Sequence, residues 1–310
     1  MTPMDFAGFA AGLGGLFIGG ELLVRGSAAL AAKLGLPPFL IGLTVVGFGT
    51  SMPELLVSLD AALKGLPEIA IGNVVGSNIS NILLIIGLAA LVRPIGLAQA
   101  APVRDTVVMT AAALLLFLPF SQGMVGRAAG AAQCAGLAGY LVWAYRSARD
   151  GAGDAGTGAE ATGDVRWPLL WAAAGLALMV PGARLLVDGA VVIAQGLGLP
   201  EAYIGLTVVA VGTSLPELAA SIVAAYRRQP DIALGNIVGS NIFNVLGILG
   251  LTAVIMPVPV DRRFLVFDLP VMAAASILLM LVLLRGQRLG RRGGLCLIAG
   301  FAVYVWSAQG

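Results

Sequence analysis

LGLPPFLIGLTVVGFGTSMPELLVS, residues Leu34–Ser58, recurs as LGLPEAYIGLTVVAVGTSLPELAAS at Leu197–Ser221. A second stretch does the same: PEIAIGNVVGSNISN (Pro67–Asn81) returns as PDIALGNIVGSNIFN (Pro230–Asn244). Each matched pair is 163 positions apart, as Glu54 is from Glu217 and Asn81 from Asn244. Upstream, GGELLVRG (Gly19–Gly26) aligns with GARLLVDG (Gly182–Gly189) at the same spacing. There the charges are exchanged, Glu21 against Arg184 and Arg25 against Asp188. The chain is a duplication, and its repeated parts are polar islands in apolar surroundings.

Those surroundings fix the class. Of 310 residues, 59% are hydrophobic and 11% charged, where a water-soluble domain carries about a quarter charged residues. The 43 glycines and 16 prolines are too many for a soluble helical bundle but are tolerated inside a membrane. A soluble enzyme, a nucleic-acid binder and a secreted disulfide scaffold are excluded. There is no histidine, which removes histidine-dependent proteolysis, His-ligated zinc or haem, and histidine proton relays. The two cysteines, Cys134 and Cys296, sit in apolar runs and read as small buried hydrophobes. No cofactor is expected, and no enzymatic activity.

At about 20 apolar residues per span, the sequence divides into ten candidate membrane helices: 5–32, 37–61, 68–91, 102–120, 124–146, 167–195, 200–226, 231–255, 264–284 and 293–308. The first is too long for a signal peptide and is expected to stay as a span. The polar, Gly-rich segment Ser147–Arg166 reads as the linker between a first five-helix repeat (1–146) and a second (167–310), within one membrane domain. Five is odd, so the second repeat enters from the opposite side. The expected fold is therefore an all-α integral membrane protein, ten transmembrane helices in two inverted repeats. Twelve of the 18 basic residues fall in odd-numbered loops and four in even-numbered ones. The excess puts the odd loops and the linker in the cytoplasm and both termini outside, in a multi-pass protein of the cell's inner (plasma) membrane. Inverted repeats are a mark of secondary transporters, with the site where the repeats meet at the bilayer midplane.

The repeated motif carries the chemistry. In Gly49-Thr50-Ser51-Met52-Pro53-Glu54, Pro53 lacks an N–H and clashes with the Gly49 carbonyl, freeing a backbone oxygen in mid-span. Glu54 lies on one helical face with Gly47, Thr50, Ser51 and Ser58. Ala210, Thr213, Ser214, Glu217 and Ser221 repeat the pattern around Pro216. The next span of each half bears Asn73, Ser77 and Asn81, then Asn236, Ser240 and Asn244, with Asn78 and Asn241 alongside. Charge at such depth is costly and marks function. Asn73, Asn78, Asn236 and Asn241 fit a ligand role or a packing role equally well, whereas Glu21, Arg25, Arg184 and Asp188 fit mutual pairing or an access path. Asp60, near a span end, is expected to be solvated. Two carboxylates among hydroxyls, amides and carbonyls favour a hard cation: Ca²⁺, Mg²⁺ or Na⁺. A flexible cage suits Ca²⁺ better than Mg²⁺, and Na⁺ is nearly the size of Ca²⁺.

GLTVVGFGTSMPELLVS with GNVVGSNISN, repeated as GLTVVAVGTSLPELAAS with GNIVGSNIFN, resembles the two α-repeats of the cation/Ca²⁺ exchanger superfamily, above all its prokaryotic sodium/calcium exchangers. The resemblance implies antiport of Na⁺, typically three, against Ca²⁺ by alternating access, normally extruding Ca²⁺. It implies Glu54 and Glu217 as central ligands for both ions, and Thr50 and Thr213 as carbonyl and hydroxyl donors. Ser51, Ser77, Ser214 and Ser240, with the carbonyls of Gly47 and Ala210, would complete flanking Na⁺ sites, with Asn81 at the centre. At the position of Asn244 several relatives carry an aspartate, which in the K⁺-dependent branch is associated with K⁺ co-transport. Ca²⁺ and Na⁺ are thus the expected substrates, the bilayer the expected surroundings, and no nucleic acid or obligate protein partner is expected. The rival readings are an H⁺/Ca²⁺ antiporter, with protons on the paired glutamates, and a cation channel, which would not need inverted copies. An intramembrane aspartyl protease would need two aspartates where this chain repeats glutamates.

Overall fold

Proline sets where the central helices begin. Pro38, Pro67 and Pro230 occupy the first turn of their helices, where a missing N–H costs nothing and the fixed φ favours helix. The computed structural model describes residues 3–95, 101–154, 164–196, 212–286 and 288–308. The helices are α1 (Pro3–Leu34), α2 (Pro38–Thr50), α3 (Met52–Leu63), α4 (Pro67–Val92), α5 (Val103–Ser121) and α6 (Arg127–Asp154). After the linker come α7 (Arg166–Gly196), α8 (Leu215–Tyr226), α9 (Pro230–Ile255), α10 (Phe264–Leu284) and α11 (Arg291–Ser307). Among the described residues six helices are long and apolar enough to cross a membrane, and the bent pair α2–α3 makes a seventh.

Two short pairings join loops that the parity of the spans would put on the same side. Met124–Val125 pairs antiparallel with Val258–Pro259 at one end of α5, and Ile95 bridges Leu289 at the other. The segment read as a linker begins later than expected. Helix α6 continues past Arg146 to Asp154, because each added residue of a helix already nucleated gains a backbone bond, and SARDGAGD holds no proline to stop it. Residues 155–163 lie outside the described residues, as does Ala210.

The helices α4 and α9 form the centre: 78% of the residues in the most apolar stretch of each are buried, against 33% in α1 and 28% in α7. The large core cluster runs through α4, α5, α9 and α10, with Ile79, Ile82, Ile242 and Ile248 fully buried. Helices α1 and α7 pack on each other and, through Val223 and Ala224, on α8. Leu115, Leu118, Val303 and Trp306 point outward, as a lipid-facing surface requires. Cys296 is exposed on that outward surface of α11, and Cys134 is half-buried. The expectation that both are buried is therefore corrected. In a bilayer an apolar residue gains as much from facing lipid as from facing protein.

Close approach of α9 to α2 depends on glycine. A Cβ on Gly239 would lie 2.1 Å from the Leu43 carbonyl oxygen, and one on Gly235 2.4 Å from that of Phe39. Nothing larger than hydrogen fits there.

Candidate ion-binding site

The break predicted at Pro53 is present. Ser51 leaves helical geometry (φ −84°, ψ 6°) and α3 turns 43° from α2. Ser214 does the same before α8 (φ −87°, ψ 8°). The first break places Thr50, Ser51 and Glu54 at the junction of α2 and α3, and the second places Thr213, Ser214 and Glu217 at the start of α8. Asn81 and Asn244 sit where α4 and α9 widen into π-helical turns, Asn81–Ile85 and Phe243–Leu249, a distortion common at functional sites.

The polar side chains then interlock across the two halves. The Ser51 hydroxyl donates to Glu217 Oε1 at 2.9 Å, and that of Ser214 donates to Glu54 Oε1 at 3.3 Å. Thr50 donates to Asn236 Oδ1 at 3.1 Å, and Thr213 to Asn73 Oδ1 at 3.4 Å. Asn81 Nδ2 donates to Asn241 Oδ1 and Asn244 Nδ2 to Asn78 Oδ1, both at 3.0 Å. Ser240 donates to the Gly47 carbonyl at 3.1 Å, and Ser214 lies 3.3 Å from Ser77 Oγ. Eleven of the twelve expected ligand residues are thus brought together from both halves; the twelfth, Ala210, lies outside the described residues.

Four oxygens are left over. Glu54 Oε2, Glu217 Oε2, Asn81 Oδ1 and Asn244 Oδ1 are buried and accept no hydrogen bond; their residues are each about 1% exposed. An unsatisfied buried acceptor is expensive, and two carboxylates within electrostatic range of each other add repulsion. This set is suited to a desolvated cation and to little else: the free groups are all acceptors.

Two of the four undecided asparagines bond behind the glutamates. Asn73 Nδ2 donates to the Glu54 carbonyl (3.0 Å) and to Ser58 (2.8 Å). Asn236 makes the matching bonds to Glu217 (3.2 Å) and Ser221 (2.9 Å). Both amides are used up as braces behind the glutamates. Glu21 pairs with Arg25 and with Arg227, just past the end of α8, while Arg184 and Asp188 are exposed. Asp60 is exposed and paired with Lys64, as expected of a solvated group.

Sequence reading passed over two aspartates. Asp105 and Asp268 are buried; Arg104 pairs with the first, and Tyr304 donates to the second at 2.8 Å. They too are 163 apart, in DTVVM (Asp105–Met109) and DLPVM (Asp268–Met272). That weaker repeat was the available signal.

A family model described as "Sodium/calcium exchanger protein" matches residues 4–146 and again 167–308. The chain belongs to the sodium/calcium exchanger family. It is 38% identical over 295 residues to the inner membrane protein YrbG of Escherichia coli, covering 92% of this chain and 90% of that one. It is 33% identical to the sodium/calcium exchanger MaX1 of Methanosarcina acetivorans, covering 98% of each. Among solved structures, the sodium-calcium exchanger NCX_Mj soaked with Na⁺ and Ca²⁺ superposes with a TM-score of 0.86 at 31% identity over 99% of each chain. The chain is accordingly a multi-pass membrane antiporter of the cation/Ca²⁺ class, a transporter and not an enzyme.

Proposed function

We propose that this exchanger moves about three Na⁺ against one Ca²⁺ by alternating access, normally expelling Ca²⁺ across the inner (plasma) membrane. The observation that carries this reading is the set of four unbonded oxygens, two carboxylate and two amide, contributed equally by the two halves. Two carboxylates neutralise one Ca²⁺, and the surrounding hydroxyls and the Gly47 carbonyl offer the weaker oxygen sites that Na⁺ accepts. The ligands are Glu54, Glu217, Thr50, Thr213, Ser51, Ser214, Asn81, Asn244, Ser77, Ser240 and the carbonyls of Gly47 and Ala210. Sharing of the site by bonds that cross between halves supports ten helices in two inverted repeats, since rocking of one half against the other then exposes the ions to each side in turn. The basic-residue count supports a cytoplasmic linker and external termini.

The test is Ca²⁺ uptake into vesicles of purified protein under imposed gradients. An outward Na⁺ gradient at uniform pH drives uptake. Uptake driven by a pH gradient and indifferent to Na⁺ overturns Na⁺ coupling in favour of proton exchange on the same glutamates, and uptake needing no counter-ion indicates a channel.

A further inference from the structure

Rotating an asparagine amide by a half turn exchanges its oxygen for its NH₂ with almost no change in shape. At a cation site that exchange matters, because only the oxygen binds. Asn81 and Asn244 each leave Oδ1 free, so something must hold both amides the right way round.

Two methionines outside the two long repeated stretches stand behind them. Asn78 Nδ2 lies 3.5 Å from Met272 Sδ on α10, and Asn241 Nδ2 lies 3.5 Å from Met109 Sδ on α5. Met109 and Met272 are 2% and 0% exposed and are 163 positions apart, like the residues they serve. A thioether has lone pairs and no proton, so only an N–H can face it. Met272 therefore fixes the NH₂ edge of Asn78, which turns Asn78 Oδ1 toward Asn244. Asn244 must answer with its own NH₂, at 3.0 Å, and its oxygen is left facing away. Met109, Asn241 and Asn81 repeat the sequence of constraints in mirror order, the last bond again 3.0 Å.

We propose that Met109 and Met272 are positioning residues for ion binding, each setting through one asparagine the amide orientation of the central asparagine beyond it, so that an oxygen and not an NH₂ meets the cation. This rests on the exchange reading above. Without the sulfur, Asn78 and Asn244 can turn together and keep their mutual bond while presenting NH₂ to the site. Among the described residues, the other acceptors for the outer amides are the Asn241 and Asn78 backbone carbonyls, at 3.4 and 3.5 Å. These long bonds retain part of the preference, so loss of one methionine weakens binding without abolishing it. The relay also accounts for Asn244 itself: an ionised aspartate there has no proton to give Asn78 Oδ1.

The experiment is a Ca²⁺ titration of the purified, detergent-solubilised protein, read as thermal stabilisation. Leucine is close to methionine in volume but accepts no hydrogen bond. M272L is expected to weaken apparent Ca²⁺ affinity about three- to tenfold, the scale of one hydrogen bond. Its ligand-free melting temperature should stay near that of the wild type. M109L should match it, and stands in if M272L does not fold; the double variant should lose roughly the product. M272Q restores an acceptor at similar reach and should recover affinity, while its buried amide lowers the ligand-free melting temperature below that of M272L. Affinity and stability thus rank the two variants in opposite orders, which packing alone would not produce. Wild-type affinity in M272L and M109L, or M272Q binding no better than M272L, overturns the relay alone. A wild-type protein that Ca²⁺ does not stabilise overturns the site reading, and the relay with it.

Discussion

Asn73 holds the Glu54 carbonyl at 3.0 Å and Ser58 at 2.8 Å, and Asn236 repeats both bonds in the other half at 3.2 and 2.9 Å. Away from the site the halves diverge. Both α3 and α8 end in the same left-handed turn, but Gly65 (φ 73°) makes it in the first half and Arg228 (φ 61°) in the second. Glu21 is tied to Arg227, whereas Arg184, its counterpart 163 positions on, is exposed. The duplication is kept where bonds from the two copies cross and has relaxed away from them. Substitutions at matched positions test that division.

The largest effect is expected at the acids. Glu54→Gln and Glu217→Gln should each reduce Ca²⁺ flux about a hundredfold or more, the scale of leaving a buried charge without its partner, and by similar amounts. Near-normal flux in either one removes that glutamate from the site and breaks the equivalence of the halves.

The braces come next. Asn236→Ala leaves the Glu217 carbonyl and Ser221 hydroxyl without their donor and should cost about 1–3 kcal/mol of stability, with flux down roughly tenfold. Asn73→Ala should cost less, because Asn73 is only half-buried while Asn236 is fully buried. Thermal unfolding and uptake on both variants check the order; the reverse order would contradict it.

Asn244 is where family resemblance and chain part. The wild type should run equally well when K⁺ is replaced by choline at fixed voltage. Asn244→Asp adds a group that must hold a proton to bond Asn78 Oδ1, so uptake should become pH-dependent, K⁺-dependent or both. A wild type that stops without K⁺ contradicts this reading of Asn244.

The smallest effect belongs to the turns. Arg228→Gly relieves a left-handed conformation in a residue with a side chain, worth about 1 kcal/mol, and should raise the melting temperature slightly with flux unchanged. A lowered melting temperature would mean that the Arg228 side chain contributes more than its backbone strain costs.

Much of the site was legible because lipid makes polar residues conspicuous. Glu54, Glu217 and the Thr-Ser pairs had no inexpensive structural reason to lie in mid-span, and the proline beside each glutamate announced the bend. Whether an asparagine ligates or braces was not legible. That depends on which of its donors and acceptors are already used, as Asn73 shows by spending both edges on neighbours. Met109 and Met272 were invisible for the opposite reason: in an apolar span a methionine looks like any other filler, and only the DTVVM/DLPVM spacing marks it. Cys296 misled because hydrophobicity does not distinguish a core from a lipid-facing surface. The end of α6 was missed because SARDGAGD reads as loop by composition, while without a proline it does not stop a helix already running.

Three-for-one exchange at this site stands or falls on charge. A Ca²⁺ between two carboxylates is neutral, whereas three Na⁺ leave the loaded site at about +1, so exchange must sense voltage at about 2.3 kcal/mol per charge per 100 mV. The measurement is Ca²⁺ uptake into Na⁺-loaded vesicles at imposed membrane potentials. Uptake expels one net positive charge, so a lumen-positive potential should accelerate it and a lumen-negative one should slow it. Uptake that ignores the potential would contradict three-for-one exchange at a site with two carboxylates.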